Sequence, residues 1–137
     1  MEKMRRSGLV AVLLSAVAGT SGCLVAAAGS GAGGGVYFTS RGVQSVIAAP
    51  VENVATATDQ TFDHFGIQQT ELVVKKNGAR REFTGKPARG DPEVVVTLRR
   101  KDATSTKVKV TARTGLVTWN KEYARDVIEK IVELSSG

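Results

Sequence analysis

Few side chains in this sequence are equipped for covalent chemistry. Among 137 residues there is one cysteine, Cys23, and one histidine, His64. A lone cysteine closes no internal disulfide, and one cysteine with one histidine does not make a zinc cluster. His64 follows Asp63 directly, and adjacent residues leave a helix on different sides, so they are not a ready acid–base pair. No G-x-S-x-G or H-E-x-x-H string occurs. The tract AAAGSGAGGG, Ala26 to Gly35, has the glycines of a phosphate loop but not its Gly-Lys-Ser/Thr ending. Glu71 and Glu82 flank an Asn-Gly pair and read as ion-pairing groups on a solvated face, not as a glycosidase dyad. We therefore expect a protein that is not an enzyme, with no cofactor, no metal and no small-molecule substrate.

The residues with a clearer physical signal are cations. The formal net charge is +6, and between Lys75 and Arg113 twelve Lys and Arg stand against four Asp and Glu. The segment from Pro50 to Phe65 holds Glu52, Asp59 and Asp63 and no Lys or Arg, so the molecule is polarised. In TKVKVTAR, Val108, Val110 and Ala112 alternate with Lys107, Lys109, Thr111 and Arg113. That is the period of a strand with one buried and one wet face. Arg99, Lys107, Lys109 and Arg113 are the candidate anion-contact residues, expected to share the wet face with Lys75. Their target would be a lipid phosphate, a cell-wall carboxylate or an acidic protein partner. The competing reading is a solvated surface whose lysines block edge-to-edge aggregation. Aromatic residues make up 5% of the chain, too few for a base-stacking platform, so nucleic acid is not expected as a partner.

The elements that must carry these cations can be read in order. A first strand is expected near Val43–Ala48, and Pro50 then opens a helix in which Val51, Val54, Ala55, Thr58, Phe62 and Phe65 recur at helical spacing. Gly66 stops it. Asn77-Gly78 predicts a tight hairpin joining strands near Gln69–Lys76 and Ala79–Thr84. After the loop Lys86–Pro92 come EVVVTLRR, the turn KDATS and TKVKVTAR. A last helix is capped by Asn120 and buries Tyr123, Val127, Ile131 and Leu134, with Ala124 and Ile128 beside them. Trp119, just before it, is expected to cover the edge of the core. The expectation is an α+β fold in the order β-α-β-β-β-β-α. Two amphipathic helices lie on one face of a four- to five-stranded antiparallel sheet.

The N-terminus reads as an address. MEKMRR supplies Lys3, Arg5 and Arg6, and Gly8–Gly19 is a short apolar run, as in a secretory signal peptide. With Ser21 and Gly22 before Cys23, the segment resembles a bacterial lipoprotein signal. Thr20 stands where that pattern has a larger aliphatic residue. The resemblance implies a signal peptide over 1–22 and a lipidated Cys23 opening a Gly/Ala-rich tether over 23–35. The small domain follows over 36–137. Twelve such tether residues span roughly 20 Å. Cleavage elsewhere, for example after Ala18, and an uncut anchor within the uncharged span Ser7–Ser40 remain the alternatives.

The whole layout is similar to the exported bacterial lipoproteins of domain-of-unknown-function family 3568. The matching parts are the cysteine with its glycine tract, GGGVYF, PVENVATATDQTFDHFGI and TKVKVTARTGLVTWNKEYARDVIEKI. That resemblance implies an address and a fold, and no catalytic residue. Together these readings predict a lipid-anchored envelope protein facing the periplasm, with a binding or scaffolding role. The outer membrane is favoured because Leu24 replaces the aspartate associated with inner-membrane retention. An assembly helper acting by strand addition and, behind it, a carboxylate-based hydrolase are the alternatives. Mass spectrometry of the protein isolated from its native envelope is expected to place the mature N-terminus at an acylated Cys23. Any other N-terminus rules out lipidation there.

Overall fold

The structure is a computed structural model that describes residues 35–136. The expected signal peptide, Cys23 and the tether up to Gly34 lie outside the described residues. Seven strands and two helices follow one another. They are β1 (Tyr37–Phe38), β2 (Gly42–Ile47), α1 (Val51–Phe65), β3 (Ile67–Lys75), β4 (Arg80–Pro87), β5 (Glu93–Asp102), β6 (Ser105–Thr114), β7 (Thr118–Trp119) and α2 (Lys121–Ser135). All pairings are antiparallel, in the spatial order β1-β2-β6-β5-β4-β3, with β7 beside the end of β6. The α+β class and the two helices are as the sequence predicts, but the sheet has seven strands instead of four or five. The additions, β1 and β7, are two residues each, too short to show any period.

Alternation builds the core. Val43, Ile47, Val94, Val96, Leu98, Val108, Val110 and Ala112 turn to one face of the sheet and are all 0–1% exposed. Against them lie Val51, Val54, Ala55 and Phe62 of α1 and Ala124, Val127, Ile128 and Ile131 of α2. Tyr123 and Leu134 flank the α2 stripe half-buried instead of lying within it. Buried hydroxyls are satisfied: Thr58 and Thr61 donate to carbonyls one helical turn back, and Thr106 donates to the Ala49 carbonyl at 2.8 Å. Phe62 meets Phe83 edge to face with centroids 6.3 Å apart. Gly85 makes this seat, since a Cβ there would stand 2.6 Å from Ile67 Cγ2 and 3.0 Å from the Phe62 ring.

The ends are set by local chemistry. Gly66 takes φ 64° and its N–H donates to the carbonyls of Phe62 and Asp63, closing α1. Asn120 Oδ1 accepts from the Tyr123 N–H at 3.0 Å, opening α2 as expected. The β3–β4 hairpin has the predicted register, Lys75 opposite Arg80, but its connection is Lys76–Ala79 and not a two-residue turn. Lys76, Asn77 and Gly78 all have positive φ, and the Ala79 N–H donates to the Lys76 carbonyl. The Ala79 carbonyl accepts instead from the Arg100 N–H of β5. A neighbouring strand that the local sequence cannot announce thus draws Ala79 out of the hairpin ladder.

Candidate anion-contact face

Both helices cover the same side of the sheet, so the polar side chains of β3–β6 form the other side. The ladder registers align them in rows. Lys75 is opposite Arg80, Arg80 opposite Arg99, Arg99 opposite Lys107, and Lys107 opposite Val46. One row therefore carries cations on four consecutive strands. The next row runs Val73, Glu82, Thr97, Lys109, Gln44 and Tyr37. Directly opposed side chains start about 4.5–5.5 Å apart at Cβ, close enough for like charges to repel.

Among the described residues, the ion pairs leave this row alone. Arg113 Nη2 lies 3.0 Å from Glu93 Oε1, and Lys86 Nζ lies 3.9 Å from Glu93 Oε2. Arg100 reaches to the helix side, where its Nη2 is 2.9 Å from Glu52 Oε1 in the first turn of α1. The Glu52 carboxyl is held below its ordinary pKa, first by a backbone hydrogen bond at its own residue and then by Arg100. Lys75, Arg80, Arg99, Lys107 and Lys109 make no ion pair within the described residues. Glu82, in the adjoining row, is the acid nearest in register to Lys109 and Lys75.

Two hollows meet on this face. One of about 430 Å³ is lined in part by Tyr37, Gln44, Val46, Arg99, Lys101 and Lys107. The other, about 200 Å³, is lined by Gln44, Thr97, Arg99, Lys107 and Lys109. Arg99, Lys107 and Gln44 belong to both, so two charged donors and one neutral amide converge there. Of the four residues singled out from sequence, Arg99, Lys107 and Lys109 come together. Arg113 does not: it lies further along β6, opposite Trp119, and is engaged by Glu93. Arg80, Gln44, Lys101 and Tyr37 were not singled out. Only Arg80 had a legible signal, because the Asn77-Gly78 turn already pairs it with Lys75.

The other reactive residues stand apart. His64 is exposed at the end of α1, its ring edge-on to Phe65 at 5.0 Å. Glu71 and Glu82 lie on neighbouring strands, and neither is within ion-pairing distance of a described cation. Trp119 is half-buried with the Arg41 guanidinium 5.7 Å from its ring centroid, whereas Leu116 is 90% exposed. Among the described residues no three His, Cys, Asp or Glu gather as a metal site, and no helix is long and apolar enough to cross a membrane.

Fold and face define a two-layer α+β domain with helices on one side of a sheet and a cationic row on the other. Residues 8–132 match the family described as protein of unknown function (DUF3568), and the chain belongs to that family. A search of curated proteins found no match.

Repulsion along the row has a measurable consequence. Arg99→Gln or Lys107→Gln is expected to raise unfolding stability at low salt by about 0.2–1 kcal/mol, the scale of one opposed like-charge pair. The gain should fade near 1 M salt, where the screening length is about 3 Å. Thermal unfolding at the two salt concentrations checks this; lower stability in both variants contradicts it.

Proposed function

We propose that this protein is a non-enzymatic, lipid-anchored protein of the bacterial envelope. Its cationic sheet face binds an anionic component of that envelope. Support for the anchor comes from the sequence: the basic start, the apolar run, Ser21-Gly22-Cys23 and the Gly/Ala-rich tether. Support for binding comes chiefly from one observation, the row Lys75–Arg80–Arg99–Lys107 held without ion-pair partners among the described residues, beside the two hollows. Unneutralised cations on a rigid ladder attract phosphate or carboxylate groups and lose their mutual repulsion when those groups bind. The tether expected from the sequence, roughly 20 Å for twelve Gly- and Ala-rich residues, is long enough for the face to reach headgroups or a nearby cell-wall polymer. The acids near α1 lie on the helix side, which favours approach by the sheet face.

The fragment Gly35–Gly137, which lacks Cys23, separates surface binding from anchoring. It should sediment with anionic phospholipid vesicles or with purified cell-wall sacculi at low salt. Release is expected near 1 M salt, where charges are screened beyond about 3 Å. The triple variant Arg99→Glu, Lys107→Glu, Lys109→Glu should lose this binding, and Arg125→Glu on the helix side should keep it. Equal sedimentation of the triple variant and the parent, or binding to neither material, overturns the proposal.

A further inference from the structure

The strand β3 pairs only with β4 among the described residues, so its nine residues lie at an edge of the sheet. Its regular part is shorter. A bulge interrupts the ladder between Gln69 and Glu71, and Lys76 turns to φ 54° immediately after the strand. What is left straight is Glu71-Leu72-Val73-Val74-Lys75, centred on Val73. Leu72 and Val74 face the helix side beside Phe83 and Arg81, yet remain 46% and 53% exposed. Glu71, Val73 and Lys75 face the wet side.

We propose that this segment pairs with the same segment of a second copy, antiparallel, about a two-fold axis through Val73. In that register Glu71 of each copy meets Lys75 of the other, Leu72 meets Val74, and Val73 meets itself. Two ion pairs form on the wet side, and four aliphatic side chains that are exposed in the single chain cluster on the helix side. A shift of two residues either way sets Glu71 or Lys75 against Val73 and loses both ion pairs. The segment is thus self-complementary in both charge and apolar pattern, which is what a closed, two-fold interface requires. Residues opposed across a ladder share a face, so the cationic rows of both copies point the same way. This inference stands on β3 alone; in the dimer Lys75 is neutralised, and the row that stays without ion-pair partners among the described residues is Arg80, Arg99 and Lys107.

The test uses the full chain in detergent, with association followed by sedimentation velocity over a concentration series. The parent should dimerise. Glu71→Lys alone and Lys75→Glu alone should each weaken dimerisation by about tenfold or more, because two ion pairs become two like-charge pairs. An equimolar mixture of those two variants should recover association, since one copy then presents two lysines to the two glutamates of the other. The double exchange Glu71→Lys, Lys75→Glu should also dimerise. As a second reading of register, Val73→Cys should oxidise to a self-linked disulfide faster than Leu72→Cys or Val74→Cys. A monomeric parent, or dimers indifferent to the charge reversals, overturns the proposal. So does protection from hydrogen exchange, in a monomer, of the alternate β3 amides that point away from β4, which would mean the free edge is covered within one chain.

Discussion

Side chains leave a β-strand on alternate faces, and in the β5–β6 pair this rule acts on two adjacent ten-residue strands at once. Val94, Val96 and Leu98 align with Ala112, Val110 and Val108 across the ladder, so six apolar side chains are committed to one face. The same register commits Thr97 and Arg99 to stand opposite Lys109 and Lys107 on the other. Burying the first set forces the second into the open. A one-residue slip would exchange the faces and place lysines in the core, which makes the register hard to change.

The helices follow from that constraint. α1 leads from β2 to the far edge of the sheet and α2 follows β7, and both pack on the apolar side and against each other. Their polar surface joins the sheet at few points, chiefly Glu52 with Arg100. Because no described element crosses the other side, the cationic row is the consequence of a sheet covered once. Its repulsion is tolerated because exposed charges in water interact weakly, while the valines behind them are wholly buried.

Much of this was legible in the residues. Strict alternation in TKVKVTAR gave the facing of β6, helical spacing gave α1, and Gly66 and Asn120 marked helix ends by chemistry that needs no tertiary partner. The hairpin register was legible at Asn77-Gly78, although its connection was not, because Arg100 of a later strand claims the Ala79 carbonyl. β1 and β7 were hidden because two residues carry no period and owe their pairing to neighbours already in place. The candidate site was half legible. Lys107 and Lys109 declare themselves within one strand, and Arg99 joins them through the β5–β6 turn. The engagement of Arg113 by Glu93 belongs to that same β5–β6 pairing, whereas the arrival of Gln44 and Tyr37 from the far end of the domain depends on strand order. Strand order is a long-range property that local spacing does not contain.

The central claim is that β5–β6 register sets an apolar face against a cationic one, and backbone NOE spectroscopy of the labelled domain reads it directly. Cross-strand contacts are expected between Arg99 and Lys107 and between Thr97 and Lys109, with Val96 opposite Val110. Contacts displaced by one residue, with Arg99 opposite Thr106 or Val108, would contradict the account.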